Sequence, residues 1–137
     1  MTDNKLALLQ AIENFGRLET REKYFDLYDD NAVLRGYAGV GPGLENIKRF
    51  YAQFWTAFPD AKIVVEDLIE ADDKLTCRFV VNATHGGNFL GVPATRKPVS
   101  LPGITILRFA NGKCVERWSQ TDFLGAMVQI GAVSMPA

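Results

Sequence analysis

The sequence predicts an α+β fold in which helices come first and long antiparallel strands follow. Three observations carry this. Residues 44–58 repeat apolar side chains at three-and-four spacing, the signature of a helix with one buried face. Residues 62–122 break into four alternating segments separated by short turns, the signature of half-buried strands. No repeat, low-complexity tract or linker divides the 137 residues, so they read as a single domain, 1–137.

Taken in order, Lys5–Phe15 sets Leu6, Leu9, Ile12 and Phe15 three apart, an amphipathic helix stopped by Gly16. Glu19–Tyr28 continues as a second helix whose apolar side is Tyr24, Phe25, Leu27 and Tyr28. Asp29-Asp30-Asn31 reads as a turn, and Ala32–Tyr37 as a strand with Val33, Arg35 and Tyr37 on one face. Arg35 has apolar neighbours, so it is either a snorkelling edge residue or a pocket residue. Gly39–Gly43 is a turn without the Lys and Ser/Thr of a phosphate loop. Leu44–Phe58 follows, with Leu44, Ile47, Phe50, Tyr51, Phe54, Trp55 and Phe58 on its stripe and Pro59-Asp60 as its stop.

Lys62–Ala71 places Ile63, Val65, Asp67 and Ile69 on one strand face, with Asp67 interrupting it. Asp72-Asp73-Lys74 is a hairpin turn into Leu75–His85, whose apolar face ends on His85, the only histidine. Phe89–Pro98 is a loop. Val99–Phe109 is the next strand, and its Pro102-Gly103 pair predicts a bulge or an edge. After the hairpin turn Ala110–Lys113, the last strand sets Cys114, Glu116, Trp118, Gln120 and Asp122 on one parity, and Val115, Arg117, Ser119 and Thr121 on the other. A short apolar helix, FLGAMVQI, begins at Phe123. Asp122 stands at the junction, either as that helix's N-cap or as the floor of a pocket beside Trp118.

A bulged, curved sheet wrapped over helix 44–58 encloses a cone-shaped interior. Asp122, His85, Arg35, Asp67 and Gln120 lie on apolar parities and are expected to point into it. Several polar groups converging in an apolar cavity is the usual form of a small-molecule site. Phe50, Phe54, Trp55 and Trp118 would wall it, with Tyr37 at its first strand.

Composition narrows the classes. A net charge of −1 gives no electrostatic support for nucleic-acid binding. One histidine and two cysteines without ligand spacing point to no metal, and no cofactor motif appears. Cys77 and Cys114 read as buried free thiols. No apolar run is long enough to span a membrane and the first residues are polar, so the expectation is a soluble, cytoplasmic protein with no membrane contact.

Five stretches together resemble the SnoaL-like polyketide cyclase family of the nuclear-transport-factor-like α+β barrel superfamily. They are FPDAKIVVED (Phe58–Asp67), THGGNFLGVPAT (Thr84–Thr95), GITILRFANGKCVERW (Gly103–Trp118), then Asp122 and the LGAMVQIGA tail. The resemblance implies a curved, mostly antiparallel mixed sheet that closes on helices as a cone-shaped barrel with an internal cavity, and a homodimer formed through the outer sheet face. It implies an intramolecular aldol-type ring closure with Asp122 as acid/base and His85 in the pocket. Arg96 stands where the family's loop carries Gly, and Leu34-Arg35 replaces an aromatic–His pair, which changes the pocket's charge.

On this reading Asp122, desolvated in the cavity, removes a proton α to a carbonyl, and His85 hydrogen-bonds the substrate or exchanges that proton. Arg35 stabilises an enolate, binds a substrate carboxylate, or pairs with Asp122 or Asp67. The partner is a small hydrophobic ligand, aromatic or cyclic. Three competing readings share the fold: a limonene-type epoxide hydrolase assembled from Arg35, Asp67 and Asp122; a non-catalytic carrier of a hydrophobic metabolite; and an interaction module with a filled core.

Overall fold

The structure, a computed structural model, describes residues 1–136. Helix α1 spans Asp3–Phe15; the Thr2 hydroxyl accepts from the Lys5 N–H at 3.2 Å, which satisfies one of the free donors at its start. It buries Leu8, Ala11 and Phe15. The second predicted helix is a 3-10 segment, Arg21–Leu27. Its buried Tyr24 and Leu27 are three residues apart, a spacing that aligns on one face at three residues per turn.

Strand β1 then runs Tyr28–Arg35, earlier than expected, because Asp29–Asn31 loops out within it. Tyr28 pairs with Cys114 and Val33 with Glu116, so the intervening residues leave the ladder. The Asn31 N–H donates to the Asp29 carboxylate at 2.9 Å, the local turn chemistry the sequence announces. Helix α2, Leu44–Ala57, buries Ile47, Tyr51 and Ala57. Strands β2 (Lys62–Ala71), β3 (Lys74–Thr84), β4 (Pro98–Ala110) and β5 (Lys113–Thr121) follow, then helix α3, Phe123–Gln129.

The five strands form one sheet in the order β1-β5-β4-β3-β2. Only β1 and β5 pair in parallel; the other three pairings are antiparallel. The curved sheet packs its inner face on the helices, and Leu75, Leu101, Leu107, Phe58 and Ile47 are wholly buried between them.

Two β-bulges decide which side chains reach that interior. In β4–β5, Arg108 pairs with Glu116 but Phe109 pairs with Cys114, so Val115 is an extra residue. In β2–β3, Val65 pairs with Phe79 but Asp67 pairs with Arg78, so Glu66 is extra. One extra residue exchanges the faces of everything beyond it. Cys114 therefore faces inward, but so do Arg117 and Ser119, while Glu116, Trp118 and Gln120 face outward. In β2, Ile63 and Val65 face inward and Asp67 does not.

The bulge predicted at Pro102-Gly103 is not there: β4 runs in unbroken register through both residues. Pro102 is tolerated because it lies one residue beyond its last pairing with β5, where the Asp122 N–H donates to its carbonyl at 3.0 Å. Gly103 is there for close approach, since a Cβ would stand 2.5 Å from the Phe79 ring.

Candidate functional site

At the centre of the cone lies a cationic side chain that the alternation pattern assigns to the solvent. Arg117 is 7 % exposed, on the inner face of β5. Its Nε donates to the Thr105 hydroxyl at 2.8 Å, and its Nη1 to the Tyr28 and Tyr24 hydroxyls at 2.7 and 3.0 Å. Tyr24 donates to Tyr51 at 2.9 Å. The Tyr37 and Ser119 hydroxyls lie 2.9 Å apart, and Ser119 and Thr105 lie 2.6 Å apart. All four tyrosines of the chain thus share one network with the guanidinium.

The fold brings these groups from five elements. The 3-10 segment supplies Tyr24, β1 Tyr28, α2 Tyr51, β4 Thr105, and β5 Arg117 and Ser119. Tyr37 follows Gly36, whose φ of +84° turns the chain back inward at the end of β1. Burial pushes the phenols up from their ordinary range, so all four are neutral at neutral pH. The guanidinium remains charged. Among the described residues no carboxylate makes a salt bridge with it.

Beside Arg117 is a cavity of about 50 Å³, lined also by Tyr24, Tyr37, Tyr51, Phe50, Phe54, Phe79, Thr121 and Phe123. That volume suits about one to three waters or one small polar group. A wider depression of about 530 Å³ lies near Gln120 and Asp122, but it opens to solvent among exposed side chains on the outer sheet face. The cavity beside Arg117, though small and partly open, is the one walled by a buried charge.

Of the residues singled out in the sequence, Tyr37, Phe50 and Phe54 line this cavity. Arg35 does not; it is exposed on the outer face, where it pairs with Glu116, which also accepts from Arg108 at 3.2 Å. Hydrogen bonds from Arg35, and then from Arg108, hold the Glu116 carboxyl below its usual range. Trp118 and Gln120 are also outside, displaced by the Val115 bulge. Trp55 packs on Phe15 with ring centres 5.2 Å apart and carries the Arg21 guanidinium 4.8 Å above its ring, away from the cavity. Arg35, Asp67 and Asp122 do not form the cluster an epoxide hydrolase reading needs, since Asp67 is exposed beyond the Glu66 bulge and Arg35 is engaged with Glu116.

His85 is wholly buried, but against a loop. Its Nδ1 accepts from the Thr95 N–H at 3.2 Å and lies 2.9 Å from the Thr95 hydroxyl. Its ring sits between Phe58 and Phe89, and Nε2 has no partner among the described residues. Asp122 is exposed and caps α3, with Oδ1 accepting from the Gly125 N–H at 2.8 Å. It nevertheless stands between Thr121 and Phe123, both of which line the cavity. The two thiols are buried and inert; burial pushes Cys114 up to about 11.

Sequence reasoning passed over Arg117, Thr105, Ser119, Tyr24, Tyr28 and Tyr51. The available signal was that all four tyrosines fall within residues 24–51, three of them on segments read as apolar faces. Nothing in the local pattern announces the bulge that turns Arg117 toward them.

A sequence model of the SnoaL-like polyketide cyclase family matches residues 7–130. A search among curated proteins finds no match. Among solved structures, the chain is similar to AclR from Streptomyces galilaeus, described as "a putative hydroxylase", at a TM-score of 0.84 and 25 % identity over 98 % of this chain and 85 % of that one. It is similar to a protein from Jannaschia sp. CCS1 described as a "Putative SnoaL-like polyketide cyclase", at 0.83 and 25 % identity over 96 % and 94 %. It is also similar to IdmH from Streptomyces antibioticus, described as "a putative polyketide cyclase", at 0.73 and 31 % identity over 94 % and 96 %. With the family matched over nearly its whole length, and its curved sheet closed on helices as in those structures, the chain belongs to the SnoaL-like polyketide cyclase family.

Proposed function

We propose that this protein is a cyclase-type enzyme that binds a small hydrophobic, aromatic or cyclic substrate in its interior and moves a proton at a carbon next to a carbonyl. Asp122 is the acid/base. One observation carries the reading: Asp122 stands in the chain between two cavity-lining residues, Thr121 and Phe123, while Asp122 itself lines the open depression on the other side. The cap bond to the Gly125 N–H engages only Oδ1 and fixes the group's orientation, while Oδ2 makes no hydrogen bond among the described residues. A carboxylate with one oxygen anchored and one free is suited to taking a proton from a bound ligand.

The substrate exceeds the present cavity, so it enters by displacing the rim aromatics Phe50, Phe54 and Phe123. In this reading His85 has a positioning part: by accepting from Thr95 it holds the loop that carries Phe89, and Phe89 packs 5.9 Å from Phe123. The outer sheet face, with its exposed Ile104 and Ile106, is the homodimer contact.

The test is a thermal-shift screen of wild type and Asp122→Asn against flat polyketide-like aromatics, terpenoid epoxides and diols, followed by product analysis of each hit. A compound that wild type converts and Asp122→Asn only binds supports the reading. A compound that both bind and neither converts makes the protein a carrier. No hit in any class favours a filled core.

A further inference from the structure

We propose that the Arg117 cluster is a carboxylate-binding site, so that the ligand of the cavity is a hydrophobic monoanionic acid. The inference rests on the cavity being the ligand site and adds the charge of what enters it.

A count of hydrogens leads to this. Thr105 donates its single hydroxyl hydrogen to the Trp118 carbonyl at 2.9 Å, so Ser119 must donate to Thr105. Ser119 is then spent, and Tyr37 must donate to Ser119. Tyr24 donates to Tyr51, so across the 2.7 Å contact Tyr28 must donate to Tyr24. Nε and both hydrogens of Nη1 are used on Thr105, Tyr24 and Tyr28. Two kinds of hydrogen remain. Arg117 Nη2 donates to nothing among the described residues, and the Tyr51 hydroxyl, which accepts from Tyr24, has only the neighbouring Tyr37 hydroxyl to donate to. Arg117 and Tyr51 both line the cavity.

The spare groups of the cluster at the cavity wall are thus mainly donors, and one of them is a full positive charge. A buried charge without a counter-charge is costly, and the four neutral phenols surround this one without cancelling it. A group that only accepts, is flat enough for a guanidinium edge and carries one negative charge answers both conditions; that group is a carboxylate. A phosphate dianion would exchange one unbalanced buried charge for another. The ring side chains Phe50 and Phe54 on the same wall suit an apolar body behind the acid.

The test is calorimetric titration of the full chain with 2-naphthoate and the smaller benzoate, each against its uncharged amide, on wild type, Arg117→Met and Tyr51→Phe. The expected result is at least a tenfold preference of wild type for acid over amide, lost in Arg117→Met and reduced about fivefold in Tyr51→Phe, where one hydrogen bond from a hydroxyl to the charged carboxylate is removed. Tyr51→Phe keeps the ring and decides the matter if Arg117→Met does not fold. Equal binding of acid and amide by wild type overturns the inference and leaves the cavity reading standing. Binding of no compound at millimolar concentration overturns both. A preference that survives in both variants assigns the acid to another surface and also overturns it.

Discussion

Arg117 Nη1 donates to the Tyr28 hydroxyl at 2.7 Å, with both residues buried and no carboxylate salt-bridged to the guanidinium among the described residues. A charged group is in this way held by phenol hydroxyls with no side-chain counter-ion among the described residues. Such an arrangement makes the ionisation of those phenols a property of the fold.

The first prediction concerns alkaline pH. Burial raises all four phenols above their ordinary value, so above pH 10 the folded chain binds more protons than the unfolded one. Their contribution to stability is complete below the unfolded value near 10 and is lost as pH rises beyond it. Because the chain has no other tyrosine, phenolate absorbance reports on this cluster alone. It should stay flat through pH 10 and then rise together with loss of the far-ultraviolet signal. A gradual rise near pH 10 in the folded protein would show the phenols to be accessible.

Arg117→Met should leave the ligand-free protein at least as stable as wild type. Removing the guanidinium removes an uncompensated buried charge, and replacements of buried ionic groups by apolar ones gain up to about 4 kcal/mol. The phenols are not left with unused donors, because Tyr28 still donates to Tyr24 and Tyr24 to Tyr51. Chemical denaturation checks this. A loss above about 2 kcal/mol would mean that the hydrogen bonds of Arg117 outweigh the cost of its burial.

The parts of the fold legible in the sequence are those that short-range spacing controls. Helix α2 is explicit in its aromatic stripe, and strands β2 to β5 show their alternation and their hairpin turns within about a residue of their observed ends. The site was less legible because it depends on which strand face turns inward. Residues Lys113–Thr121 alternate convincingly in either phase, and the extra residue at Val115 leaves no mark of its own. The phase read from Cys114 therefore carried Trp118 and Gln120 inward and Arg117 outward, the reverse of the structure. A buried Arg also runs against the ordinary expectation for that residue type. The meeting of Tyr24, Tyr37 and Tyr51 is a tertiary fact, visible only once the helices close on the sheet.

Gly36→Ala should be strongly destabilising and should move Tyr37 out of the network. The residue sits at φ +84°, where an L side chain is strained by about 1–3 kcal/mol. Its Cβ would also meet the Ser119 carbonyl oxygen at a separation no real contact allows. Thermal denaturation of the variant, with Gly39→Ala as the control, checks this: Gly39 also has positive φ but no heavy atom within 4 Å of an added Cβ. Equal effects at the two sites would leave strain alone as the cause.

Asp122 has a structural part and a proposed chemical one, and two substitutions separate them. Asn is as good an N-cap as Asp, so Asp122→Asn should keep its stability, while Asp122→Ala should lose about 1 kcal/mol by freeing the Gly125 N–H. On the proposed mechanism both lose turnover. An Asn variant that retains turnover would confine Asp122 to capping.

The outer sheet face supplies the last prediction. Ile104 and Ile106 are 52 % and 37 % exposed there, and Val64 is 50 % exposed across the sheet. Ile106 lies opposite Trp118, whose aromatic face the Val115 bulge has turned outward beside it. Apolar side chains grouped in this way mark a contact surface more often than a solvated one. A second copy of the chain would bury this strip through a symmetric contact, in which each protomer presents the same face. Light scattering should therefore give twice the chain mass for wild type. Ile104→Lys should give a folded monomer, because a half-exposed position tolerates the charge within one protomer but not between two facing ones. A wild-type monomer at micromolar concentration would reject the contact. A dimer that persists in Ile104→Lys would move it away from this strip.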